Sequence, residues 1–161
     1  MQDTKPPGKL AAALLRVPVP WVFVLMYLIG AGTESIFHLG NFADYAFLTP
    51  TGFVVFVFGS AVAAWGWFIF WDRRTTRVPG ESSSALVTWG PYRFTRNPMY
   101  VGLTIAYVGE ACILHQVIPV ILLPLTIAYL NQFVIPLEEK RLYEVFGHDY
   151  KRYAGAVRRW L

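Results

Sequence analysis

From Tyr45 to Trp71 the chain runs for 27 residues without one charged side chain. A helix needs about 20 apolar residues to cross the hydrocarbon core of a bilayer. A 161-residue soluble domain could not hide such a run together with its other apolar stretches, because small domains bury a smaller share of their surface. We read it as a membrane span centred on Gly52–Trp71, with Trp65, Trp67 and Trp71 as interfacial anchors. Hydrophobic residues make up 55% of the chain and charged residues 15%, whereas soluble domains carry about 25% charged residues. Disorder is excluded by the high hydrophobicity, and a disulfide scaffold by Cys112 being the only cysteine. The net charge of +4 is read as a match to anionic lipid headgroups, not to nucleic acid.

The remaining apolar stretches complete a bundle. Val17–Thr33 lacks charge and has Pro18 and Pro20 where a helix can begin. Tyr100–His115 and Val117–Pro136 read as a helical hairpin folded at His115-Gln116, with kinks expected at Pro119 and Pro124. Four crossings put all 14 Lys and Arg residues on one side, in Met1–Arg16, Asp72–Arg96 and Glu138–Leu161. By the positive-inside rule that side, with both termini, is cytoplasmic. Beyond Pro136, Leu142, Val145, Phe146, Tyr150, Tyr153 and Val157 recur at helical spacing, so the tail is expected to lie along the inner surface. The expected fold is all-α: about four transmembrane helices with a helical hairpin and a C-terminal interfacial helix. Residues 1–85 would hold the first pair and a cytoplasmic loop, and 86–161 the chemistry, within one structural domain.

Two clusters carry polar chemistry. The run Trp89–Gly102 holds Tyr92, Arg93 and Arg96 just before Asn97-Pro98, a helix start with Asn as cap and Pro in the first turn. Free backbone N–H groups beside two arginines suit an anion; a loop snorkelling to phosphate headgroups reads equally well. Glu138-Glu139 could bind a ribose, an amino group or a cation, or simply form the solvated first turn of a helix. The hairpin brings Asn131 and Gln132 towards Tyr100, and the two glutamates towards Arg93–Asn97. Glu110 lies inside the third span and Glu34 near the outer end of the first; an acid at membrane depth is a functional candidate, and for Glu110 a structural hydrogen bond across the bundle reads at least as well. The three histidines are too scattered for a metal site.

Gly90-Pro91-Tyr92-Arg93, Arg96-Asn97-Pro98-Met99-Tyr100-Val101-Gly102, Glu138-Glu139, and Phe146-Gly147 with Tyr150, Tyr153, Val157 and Arg159-Trp160 occur in that order. In this, Leu86–Leu161 resembles the isoprenylcysteine carboxyl methyltransferase and phospholipid methyltransferase superfamily of integral membrane enzymes. The resemblance implies S-adenosyl-L-methionine as methyl donor, bound from the cytoplasmic side, and a lipophilic small-molecule or lipid substrate arriving from the bilayer. By the same likeness Arg96, Asn97, Pro98, Tyr100 and Gly102 line the donor pocket, with Tyr92, Arg93 and Asn131 beside them, and Glu138 and Glu139 hold its polar end. Arg96 and Arg159 are expected to orient the nucleophile, and a prokaryotic cytoplasmic membrane is the expected location. The chain departs from the family in Asn97, where His is usual, in Ala156, where the prenylcysteine enzymes tend to carry Arg, and in Arg158, where Pro is common. An amide can hydrogen-bond but cannot titrate as a base.

Overall fold

The computed structural model describes residues 18–37, 45–72 and 86–161. The basic stretch Met1–Arg16, His38 and the arginines at 73, 74 and 77 lie outside the described residues. Every regular element among the described residues is helical: α1 (Val19–Phe37), α2 (Leu48–Asp72), a 3-10 turn (Gly90–Arg93), α3 (Pro98–Ile113), α4 (Ile118–Tyr129), a π turn (Leu130–Val134) and α5 (Ile135–Ala156). α1, α2 and the run beginning at Ile118 are long and apolar enough to cross a membrane. α3, at 16 residues, spans about 24 Å. Trp21, Leu25, Leu28, Phe53, Phe58 and Phe68 are exposed on the outside of the bundle, an arrangement suited to lipid and unsuited to water. The chain is an integral membrane protein.

The bundle is tied together by two different contacts. α2 and α3 touch backbone to backbone: a Cβ at Gly102 would strike the Ala63 nitrogen and the Gly59 carbonyl, and one at Gly109 would strike the Phe56 nitrogen. Lipid tails are as apolar as Leu, so helices in a bilayer gain little from hydrophobic burial and depend on such close packing. α1 buries Val19, Phe23, Tyr27, Gly30 and Glu34, one face at three- and four-residue spacing. That face meets α4, where the Glu34 carboxylate accepts the N–H groups of Val117 (3.1 Å) and Ile118 (3.0 Å). Glu34 therefore caps another helix, satisfying donors that α4 cannot satisfy itself.

The hairpin turns at Leu114–Val117, with His115 at φ +56°. Pro119 falls in the first turn of α4 and so introduces no kink there; Pro124 alone sits inside that helix. The larger irregularity is the π turn before Pro136. Pro136 has no N–H for the Gln132 carbonyl and its ring would crowd that oxygen, and a widened turn relieves both problems. No loop separates the fourth crossing from the tail. α5 continues it and bends at Gly147, where φ +50° and ψ −117° break the helical geometry. The bend returns Tyr150 and Tyr153 towards the 3-10 turn: Tyr153 donates its hydroxyl proton to the Tyr92 carbonyl at 2.8 Å.

Gly102→Leu forces the α2 and α3 backbones apart and should destabilise the detergent-solubilised protein by about 1–3 kcal/mol or more. Gly32→Leu, whose side chain meets open space, should leave the thermal unfolding midpoint essentially unchanged.

Candidate functional site

At one end of the hairpin, the entrance to α3 faces the start of α5, and the last five residues lie across the gap. Asn97 and Pro98 begin α3 as the sequence predicts, but the Asn97 side chain makes no capping bond. Its amide instead donates to the Arg159 carbonyl at 2.9 Å. Thr95, 3% exposed, donates its hydroxyl to the same carbonyl at 3.0 Å and accepts the Asn97 N–H at 3.1 Å. The Arg96 N–H donates to the Arg158 carbonyl at 2.9 Å. On the far side Trp160 donates its indole N–H to Asn131 Oδ1 at 2.8 Å.

Glu139 stands at the centre of the cluster. Arg159 meets its carboxylate with two nitrogens, at 3.0 and 2.6 Å, and Arg96 approaches at 3.2 Å. Bidentate arginine pairs fix geometry as well as charge. The bond to Glu139 is the main reason that the Arg159 guanidinium is pushed above its ordinary pKa. The Arg96 Nε is buried with no hydrogen-bond partner.

Glu138 projects differently. Its Oε1 accepts the Tyr100 hydroxyl at 2.7 Å, and its surface remains accessible although protein atoms crowd round it. Desolvation accordingly raises the Glu138 carboxyl above its usual pKa, opposed by Tyr100 and Arg141. Tyr92, whose hydroxyl donates to the Gly66 carbonyl at 3.2 Å, is pushed up to about 12, chiefly by burial.

The structure thus brings Arg96, Asn97, Tyr100, Asn131, Glu138, Glu139 and Arg159 to one end of the bundle. Tyr92 borders this group through Tyr153. Arg93 and Gln132 are exposed. Pro98 is fully buried, and Gly102 lies against α2 instead of among the polar groups. Reading the sequence passes over Thr95 and Trp160 as contacts. Only its position next to Arg96 singles out Thr95, whereas Trp160 belongs to the tail motif but its pairing with Asn131 has no signal in the sequence. Among the described residues no group of three or more His, Cys, Asp or Glu is arranged to hold a metal ion.

The sequence profile described as phospholipid methyltransferase matches residues 48–149. Two proteins of rice, from Oryza sativa subsp. indica and subsp. japonica, each named "Probable protein-S-isoprenylcysteine O-methyltransferase", are 29% identical to the chain over 117 residues. The match covers 71% of this chain and 61% of each rice protein. No solved structure matches.

Glu139→Gln leaves two arginines facing a neutral amide. The substitution should cost about 1–3 kcal/mol of stability, less than a fully buried pair because Arg159 is one-third exposed. Thermal unfolding measures this against Glu144→Gln, whose ion pair with Lys140 is exposed at 4.0 Å and should contribute nothing detectable.

Proposed function

Because the chain belongs to the phospholipid methyltransferase family, we propose that it is an S-adenosyl-L-methionine-dependent methyltransferase. Its acceptor is a small lipophilic molecule, methylated on oxygen or sulfur as in isoprenylcysteine carboxyl methylation. The observation that carries the reading is the polar cluster at the hairpin end, where Arg96 and Arg159 meet Glu139 and the adjoining Glu138 is exposed. Glu138 is held open by Tyr100, and the buried Arg96 Nε lacks a partner. An amino acid end with one ammonium and one carboxylate suits an exposed carboxylate with the Asn131 amide at the same end of the bundle, so the residues present fit the donor.

When bound, S-adenosyl-L-methionine supplies a methyl group on a sulfonium whose charge disappears on transfer. The protein's part is positioning and the exclusion of water. Glu138 and Asn131 hold the donor's polar end. Glu139 keeps the Arg96 and Arg159 guanidiniums in place, and these orient an anionic nucleophile. A carboxylate or thiolate acceptor already carries its electron pair and needs little help from a base. The clustering of Lys and Arg supports a site on the cytoplasmic face.

A second reading, methylation of a phospholipid amine, is favoured by the raised pKa of Glu138. A carboxylate of higher proton affinity is the better acceptor for the proton that an amine must lose.

Calorimetric titration of the detergent-solubilised protein with S-adenosylhomocysteine tests the pocket. Saturable binding is expected, weakened about tenfold or more in Glu138→Ala, the scale of a lost hydrogen bond to a charged group. Binding that uses the ionised carboxylate is full above its pKa and is lost as the pH falls through it. Since burial raises that pKa, the loss should begin at a higher pH than for an ordinary glutamate, and Glu138→Gln should abolish this acid limb. Unchanged affinity in both variants, or no binding by folded protein, contradicts the assignment.

A further inference from the structure

The C-terminal segment leaves α5 at Val157 in extended conformation and crosses the entrance of α3, held there by the carbonyls of Arg158 and Arg159 and by the side chains of Arg159 and Trp160. The Arg159 carbonyl is the focus. It accepts from the Asn97 amide and from the Thr95 hydroxyl, so both lone pairs of one part-buried oxygen are used. Thr95 and Asn97 are locked to each other by the Asn97 N–H. The side chain of the same residue, Arg159, makes the two-nitrogen contact with Glu139. The carbonyl and the guanidinium are parts of a single residue, so fixing the carbonyl fixes the point from which the guanidinium reaches.

We propose that Asn97 is a positioning residue: with Thr95 it clamps the Arg159 carbonyl and so sets the Arg159 guanidinium on Glu139. It is neither a donor-binding group nor a proton carrier. The inference rests on the methyltransferase reading for the importance of Arg159, while the clamp stands on geometry alone. It also gives a physical meaning to the amide at this position. An amide always has an N–H to donate, at any pH, whereas a neutral imidazole donates from only one of its two nitrogens.

Asn97→Asp is the discriminating variant. Asp is as good as Asn at a helix N-terminus, so α3 keeps its start. An ionised carboxylate, however, has no proton to offer and repels the Arg159 carbonyl. Thr95→Val removes the second donor at nearly constant shape, and Thr95→Ser retains it.

The 161-residue chain in detergent is exposed to a carboxypeptidase, and release of Leu161 and Trp160 is followed by mass spectrometry. Thermal unfolding of Asn97→Asp, Glu139→Gln and the double variant, and titration with S-adenosylhomocysteine, complete the test. Release should quicken about fivefold or more in Asn97→Asp and Thr95→Val, as expected for the loss of one ordinary hydrogen bond, and should return to the wild-type rate in Thr95→Ser. Glu139→Gln should destabilise the Asn97→Asp background less than the wild type, although residues 97 and 139 share no direct bond. Affinity for S-adenosylhomocysteine should stay within about threefold of wild type in Asn97→Asp, since no hydrogen bond to the donor is removed. Unchanged release, strict additivity with Glu139→Gln, or a tenfold loss of affinity with the tail still protected would each overturn the proposal. If the wild type binds no S-adenosylhomocysteine, the methyltransferase reading falls, and the release rates and the coupling still decide the clamp.

Discussion

Two guanidinium groups reach one carboxylate from sequence positions on either side of it: Arg96 before α3, Glu139 at the start of α5, and Arg159 two residues from the C-terminus. No pair of these lies closer than 20 residues in the chain, so their meeting depends on everything between them. The turn at Leu114–Val117 must reverse the chain, and α4 with its π turn must match α3 in length. The bend at Gly147 must then send the tail back. One carboxylate shared by two arginines leaves the trio with a net positive charge, which the accessible Glu138 beside it balances.

The bundle that carries this cluster is held by means suited to lipid. α2 and α3 approach until backbone meets backbone at Gly59, Gly102 and Gly109, and α1 is fastened to α4 by a buried acid on two peptide N–H groups. Neither device needs water to be expelled from between apolar side chains. Both give a rigid frame in which the polar end can be set without mobile loops among the described residues.

Much of this was legible from charge and length. Spans could be placed because charge-free runs of about 20 residues have few alternatives. The hairpin followed from two adjoining apolar runs, and it brought the glutamates to Arg96. The helix start at Asn97-Pro98 was readable from local chemistry, yet the use of the Asn97 side chain was not: capping is the local default, and a carbonyl 62 residues away outcompetes it. Glycines at 52, 59 and 66, and at 102 and 109, recur every seven residues. That signal for close helix packing was present in the sequence, and its meaning depends on knowing which helices are neighbours. The π turn is a compromise between Pro136 and helix continuity, and Thr95 gains its role solely from the returning tail; neither has a local signature.

The central claim is that this polar end transfers a methyl group to a lipophilic acceptor. Membranes containing the protein, given S-adenosyl-L-methionine labelled in its methyl group and then extracted with organic solvent, test it most directly. The account predicts label in the extracted lipophilic fraction above that of membranes lacking the protein, and its loss when Glu139 is replaced by Gln. Background label from folded protein that retains S-adenosylhomocysteine binding would contradict it, and would leave a donor-binding membrane protein without the chemistry.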